Sequence, residues 1–223
     1  MIPTNFEQFA KKHGKIEKYA SGQVFHSQDF PNKLFLLTSG YVKRYQASKP
    51  SPRVLELIYG PGHIISLSQL YKKLFGVDQN QDNFIYVYQT MTEVEMYTIS
   101  GDEVLAELER NPQMYADFFY ESGLKLRSNI TRLASNALKD DYQKVAHQVV
   151  SLAYEFAGLT PGDTRKKITL PLPQSAIDIA EQLNISTEVA EAVLNRLSQL
   201  KLIAMEGVSI TILDMDFLKD VYL

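Results

Sequence analysis

A chain of 223 residues with 45% hydrophobic content has room for one large or two small domains with a proper core, which excludes a disordered chain. It contains no cysteine, so disulfides, thiolate zinc sites and cysteine-ligated iron–sulfur clusters are excluded. The formal charge is −3; with no run of about 18 apolar residues, and no charged-then-apolar secretory signal in MIPTNFEQFAKKHGK, a cytoplasmic protein without a membrane partner is expected.

Short alternating segments fill the first hundred residues: Val24-Phe25, Leu34 to Leu37, Tyr41 to Tyr45, Val54 to Tyr59, Phe84 to Tyr88 and Val94 to Tyr97. Their spacing, with polar or glycine-containing breaks, predicts a β-sandwich or roll. Their aromatic and β-branched residues suit a half-buried pleated surface. Tyr71 to Asn83 is polar and reads as irregular. The acids Glu103, Glu107 and Glu109 read as solvated helix surface.

Asn111-Pro112 then predicts the start of a long helix, with proline at its first position. Ala116, Phe119, Gly123, Leu126, Ile130, Leu133 and Ala137 step alternately by three and four, and Lys125, Arg127 and Arg132 lie off that seam. Such a heptad pattern fits an amphipathic helix packed on its own domain or a two-stranded parallel coiled coil. From Pro112 to Ala137 the helix would run about 39 Å at about 1.5 Å per residue. That is longer than one small sandwich covers, which favours a homodimer interface formed by Phe119, Gly123, Leu126, Ile130, Leu133 and Ala137.

A further helix, Tyr142 to Phe156, leads through a loop at Gly158 to Asp163 into a short strand, Lys167 to Leu172. Ala176, Ile179, Ala180 and Leu183 mark another helix, which stops at Asn184-Ile185. Ser186 stands at an N-cap position, and Val189, Ala190, Val193, Leu194 and Leu197 restart the helical period. Two short helices so joined form a helix-turn-helix, whose second helix enters the DNA major groove. The Glu206-Gly207 turn and alternating Val208, Ile210 and Ile212 predict the hairpin of a winged helix. From Leu138 onward eight basic residues face twelve acids, a balance of −4 that opposes phosphate binding.

This order resembles the cyclic-AMP receptor / fumarate–nitrate regulator superfamily of bacterial transcription factors. The resemblance rests on SGQVFHSQDF and LFLLTSGYVKRY at the front, the heptad helix in the middle, and DIAEQLNISTEVAEAVLNRLSQLKLI at the back. It implies an α+β fold: an N-terminal antiparallel β-roll (cupin-like, cyclic-nucleotide-binding-domain-like), a long dimerisation helix and a C-terminal winged helix-turn-helix. The expected divisions are a sensor domain at 1–110, a dimerisation helix at 111–138 and a DNA-binding domain at 139–223. It further implies a homodimer on a near-palindromic operator in double-stranded DNA, a small-molecule effector acting through the roll, and RNA polymerase as a further candidate partner.

Two motifs depart from the family. In GPGHIISLSQLYKKLFGVDQNQDNFIYVY, Gly60 and Gly62 keep the turn of the phosphate cassette, but His63 replaces its glutamate and no arginine follows until Arg110. Lys72 and Lys73 come too early and read as solvated. A buried cyclic-nucleotide phosphate would lack its charge partner, so cyclic-AMP binding is not expected. Gly60, Gly62, His63, Ile64 and Ser66 remain the effector-pocket candidates, for a small organic acid, an aromatic ligand or no ligand. In the recognition helix, Thr187, Glu188 and Ala192 stand where the family commonly has arginine, glutamate and arginine. Glu188 can accept from cytosine N4, and each lost arginine–guanine pair removes roughly 1–3 kcal/mol of discrimination. Ser186, Thr187, Glu188, Glu191, Asn195 and Arg196 are the candidate DNA-facing residues, with Lys201 beyond them; Glu191 carries the wrong sign for phosphate.

His13, His26, His63 and His147 are scattered, and no Gly-rich phosphate loop, Gly-x-Ser-x-Gly elbow or His-rich metal motif occurs. No enzyme, metal or cofactor is therefore expected. The leading reading is an effector-responsive homodimeric transcription regulator. The alternative, motivated by the acidic balance and Glu191, is a sensor or scaffold whose winged helix binds a protein partner.

Overall fold

The computed structural model describes residues 5–47, 53–67, 70, 73–74, 76, 85–138, 140–160, 163, 165 and 167–220. The chain divides into two compact units, Met1–Arg127 and Ser128–Leu223.

The first unit opens with a helix that the alternation pattern did not reveal, α1 (Asn5–His13), followed by β1 (Lys15–Tyr19) and β2 (Val24–His26). Then come β3 (Lys33–Ser39), β4 (Val42–Ala47), β5 (Val54–Tyr59), β6 (Ile64–Ile65), β7 (Ile85–Thr90) and β8 (Val94–Ser100). They form two antiparallel four-stranded sheets, ordered β1-β8-β3-β6 and β2-β7-β4-β5. The expected strands fall on β2, β3, β4, β5, β7 and β8, with Tyr41 standing just before β4. Phe84 and most of Tyr71 to Asn83 lie outside the described residues.

The continuous apolar run Leu34 to Leu37 has a physical cause: β3 is buried on both faces. Phe35 and Leu37 join Phe25, Val42, Leu57, Tyr59, Tyr88 and Met96 inside the roll. Leu34 and Leu36 point the other way, onto Phe6, Val104, Leu108, Met114 and Phe118. These belong to α1, α2 (Gly101–Arg110) and α3 (Met114–Leu138). Alternation across the strand thus supplies two cores at once.

Two features place the beginning of α3. Asn111 closes α2 by donating its N–H to the Glu107 carbonyl at 2.7 Å, and Met114 N donates to Asn111 O at 3.0 Å. The helix therefore starts at Met114, two residues after the expected Pro112, because Asn111 serves as the previous helix's C-cap. From Met114, a face of Met114, Phe118 and Glu121 is buried, all below 7% exposure.

The second unit holds α4 (Asp141–Phe156), β9 (Ile168–Thr169), α5 (Ala176–Leu183), α6 (Thr187–Gln199), β10 (Ile203–Glu206), β11 (Ser209–Ile212) and α7 (Met215–Asp220). The strands form one antiparallel sheet ordered β10-β11-β9. The strand expected over Lys167 to Leu172 is confined to Ile168–Thr169, where it pairs with β11. Pro161 and Gly162 of the preceding loop are outside the described residues. Val145, Val149, Leu152 and Ala153 of α4, Ile179 and Leu183 of α5, and Ala190, Leu194 and Leu197 of α6 are buried. A chain of neutral amides crosses this unit. Gln148 of α4 donates to Gln182 of α5 at 2.6 Å, and Gln182 donates to Gln174 Oε1 at 2.7 Å. The Gln174 N–H then donates to the Val208 carbonyl at the wing at 2.6 Å.

Candidate functional site

Three local devices aim α6. Ser175 caps α5 by accepting from Asp178 N, and the Asp178 carboxylate returns to Ser175 N at 2.7 Å, a reciprocal capping box. Asn184 ends α5 in the left-handed region, at φ 53°, which a short polar side chain tolerates. Ser186 then caps α6, its Oγ accepting from Val189 N at 3.3 Å. The wing turns on Gly207-Val208, with Gly207 at φ 60°, the geometry of a two-residue hairpin loop with glycine first.

With Ala190, Leu194 and Leu197 turned inward, α6 presents Glu188, Glu191, Ala192, Asn195 and Arg196 outward, with Ser186 exposed at its start and Thr187 half-buried. Glu188 lies below the usual carboxylate range, held there by its own backbone N–H and by the Ser186 hydroxyl. It is therefore an anionic acceptor at neutral pH. Arg196, Lys201 and Lys167 are exposed and make no ion pair among the described residues. Arg165 is engaged by Asp163 at 2.7 Å and by the carbonyls of Ala157 and Gly158. The outward surface of the helix-turn-helix thus mixes two exposed carboxylates, Glu188 and Glu191, with the exposed cations Arg196, Lys201 and Lys167.

On α3, the seam residues Phe119, Leu126, Ile130 and Leu133 are 79%, 62%, 56% and 66% exposed, and Gly123 is exposed between them. The side chain of Ala137 lies outside the described residues. Tyr120 and Leu124 add to this apolar surface, which contrasts with the buried Met114–Phe118–Glu121 face of the same helix.

The effector-loop candidates lie together in the roll. Gly60, Ile64 and Ser66 are buried, while Gly62 and His63 are half-buried. His63 Nδ1 accepts from Gly60 N at 3.3 Å, and its ring meets Tyr59 edge-on at 6.2 Å. Burial pushes the imidazole pKa down, Glu121 opposes that and Lys125 adds to it, so the neutral form is favoured. Gly62 N donates to Leu37 O at 2.7 Å, and Leu37 N donates to His63 O at 3.1 Å. Two residues in this loop have positive φ, Gly62 at 88° and Ser66 at 67°. For a serine that is a strained conformation.

Beside the loop stands a charged network that sequence patterning missed. Arg44 pairs with Glu56 at 2.5 Å and stacks on Tyr86 and Tyr59, at 4.8 and 5.7 Å to the ring centroids. Desolvation works against the guanidinium, but Tyr59, Tyr88 and Glu56 more than offset it, and it stays charged. From α3, Lys125 pairs with Glu121 at 3.1 Å and lies 4.8 Å from the Tyr59 ring centroid. Arg44 Nε, Glu56 Oε2 and the Tyr59 hydroxyl are buried without a hydrogen-bond partner. The available signal was weak: Glu121 and Lys125 continue the three-and-four spacing of Met114 and Phe118 on the covered face. No group of three or more His, Asp or Glu among the described residues stands ready to hold a metal ion. No described helix is long and apolar enough to cross a membrane.

Residues 143–221 match the Crp-like helix-turn-helix domain. No curated protein matches the chain. Among solved structures it is similar to FixK2 from Bradyrhizobium japonicum, with 13% identity and a TM-score of 0.72 over 94% of this chain and 98% of that one. It is similar to a CooA variant from Carboxydothermus hydrogenoformans, with 17% identity and a TM-score of 0.71 over 97% and 90%. The c-di-GMP-responsive global regulator CLP of Xanthomonas campestris has 16% identity and a TM-score of 0.66 over 93% and 97%. At these identities the likeness establishes the fold, an α+β chain with an antiparallel roll in front and a winged helix-turn-helix behind. That fold extends over nearly its whole length, and what the chain carries at its C-terminal end is a Crp-like helix-turn-helix domain.

Proposed function

We propose that the protein is a cytoplasmic, homodimeric transcription regulator that binds a near-palindromic DNA operator through α6, is not an enzyme, and answers to an effector acting at the Gly60–Ser66 loop. One observation carries this reading: α6 is capped by Ser186, anchored by Ala190, Leu194 and Leu197, and turns polar side chains outward in a Crp-like domain. Two such helices on a dimer would enter successive major grooves one helical turn apart, and the exposed seam of α3 supplies the dimer contact. Base reading falls to Glu188 and Asn195, with Ser186, Thr187 and Arg196 positioning the helix. RNA polymerase is a further partner that this role implies.

Cyclic AMP is not the effector in this reading. Arg44 and Lys125 are each matched by a carboxylate, so a buried phosphodiester would bring an unmatched negative charge. The same charge balance disfavours a small organic acid, which leaves an aromatic compound or no ligand.

Glu188 and Glu191 on the outward face favour a second reading, in which the winged helix grips a protein partner. Selection of duplexes from a random pool, followed by a salt titration, separates the two. If Arg196 and Lys201 each meet a phosphate in both protomers, log K falls against log salt with a slope of about −3.6. Glu191→Lys adds one contact per protomer and steepens the slope to about −5.4, an extra gain of about twelve-fold on going from 200 to 50 mM salt. Failure to enrich any sequence, or a Glu191→Lys variant with unchanged affinity and slope, would favour the protein-partner reading.

A further inference from the structure

We propose that Glu121 and Lys125 form a positioning clamp through which α3 holds, and senses, the effector loop. The inference rests on the regulator reading above for its consequence, though not for its geometry. β6 is the outer strand of its sheet, paired on one side only, with β3. In an antiparallel ladder alternate residues turn their polar backbone atoms to the partner. His63 and Ile65 are tied to β3, which leaves the N–H and C=O of Ile64 on the free edge. An unpaired edge needs covering, and here α3 covers it with side chains rather than another strand.

Both atoms are taken by one pair of side chains a helical turn apart. Ile64 N donates to Glu121 Oε1 at 3.4 Å, and Lys125 Nζ donates to Ile64 O at 2.7 Å. The two side chains also pair with each other at 3.1 Å, with only 8% and 18% of their surfaces exposed. A single peptide is thereby bracketed by an i, i+4 ion pair. The Ile64 side chain packs on the same side, in the cluster that contains Phe118 of α3.

Burying two charges is a poor way to gain stability, because desolvation consumes most of the Coulombic attraction. An apolar pair would cover the edge at less cost but could not hold the N–H and the C=O together. What the ion pair adds is register: Ile64 cannot shift along or away from α3 without breaking two charge-assisted hydrogen bonds at a covered edge. The loop it holds carries one strained residue, Ser66 at φ 67°, and so is poised to relax if released. Since α3 continues to Leu138, a displacement of Ile64 is passed to the seam helix itself. Effector binding at the loop would act by loading or loosening this clamp.

The test is the double variant Glu121→Leu/Lys125→Met in the full-length protein. It replaces both charges with apolar side chains of similar length and leaves no buried carboxylate behind. The single variant Lys125→Met, which does leave one, controls for loss of charge pairing. Hydrogen exchange is followed at the Ile64 amide and along α3, together with the thermal midpoint and affinity for the selected duplex. With the midpoint kept, Ile64 exchange should rise about ten-fold, amides of α3 from Lys125 to Ile130 should lose protection, and duplex affinity should fall about five-fold. Unchanged exchange at Ile64 would overturn the clamp, as would a loosened Ile64 with α3 protection and affinity unaltered. Wild-type protein that binds no duplex would refute the regulator reading alone, since loss of protection passed from Ile64 to α3 would still support the clamp.

Discussion

The exposed seam of α3 makes a quantitative claim about self-association. Leu126 and Leu133 are 62% and 66% exposed in the single chain. Fully burying a leucine contributes about 2 kcal/mol, so covering the exposed part of each is worth about 1.3 kcal/mol. Two positions in two protomers sum to about 5 kcal/mol, before any charge repulsion is counted. Leu126→Asp combined with Leu133→Asp should therefore weaken dimerisation by between three and four powers of ten. Sedimentation equilibrium over micromolar to millimolar protein reads this directly. Arg127→Asp, at an exposed position off the seam, changes charge without removing apolar area and should leave the dimer intact. A wild-type chain that sediments as a monomer at micromolar concentration would refute the reasoning, as would a double variant with an unaltered dissociation constant.

Burial pushes the Lys125 ammonium down to about 8, with Glu121 pulling the other way, while the unfolded chain keeps the ordinary lysine value of 10.5. The unfolded state thus binds the extra proton between those limits. Raising the pH from 8 to 10.5 should stabilise wild type relative to Lys125→Met by on the order of 3 kcal/mol in urea titrations. The buried Tyr59 hydroxyl, pushed up by desolvation, titrates in both proteins, so its effect largely cancels in the difference. Ser186→Ala removes the cap of α6 and should cost about 1 kcal/mol. The same change should move the Glu188 carboxyl back up towards its ordinary value, read by NMR titration, since Ser186 is one cause of its depression. At the β3–β4 turn, Gly40 has φ 81° and an added Cβ would strike the Glu93 carbonyl, so Gly40→Ala should lose more than about 1 kcal/mol in thermal melts.

The helix-turn-helix was legible because its signals are local. A capping serine, an asparagine that accepts positive φ and a helical period that stops and restarts at Ser186 need no tertiary information. The outward seam of α3 was legible for the same reason, since its period is written in adjacent turns. Helix α1 and strand β1 were not: Lys15 to Tyr19 carries two lysines and a glutamate, and its strand exists because β8 pairs with it. The start of α3 was displaced because Asn111 is a good signal for ending one helix as well as for starting another. Most informative is Lys125, of which the sequence says only that it lies off the seam. Charged residues are rarely buried, and burial is tolerable there only because Glu121 stands one turn back while Ile64 and Tyr59 arrive from a distant part of the chain. Sequence periodicity finds faces; it does not find the charges that a second face conceals.

The neutral amide chain from Gln148 through Gln182 and Gln174 to the wing has a consequence for how such a protein changes over generations. Its groups do not titrate near neutral pH and its bonds lie out of reach of salt, so the posture of the helix-turn-helix owes little to the residues it displays. Glu188, Glu191, Asn195 and Arg196 take no part in that internal scaffolding. Substitution at these four sites leaves the architecture standing, and the surface that α6 displays is free to drift along a lineage while the framework beneath it is inherited unchanged.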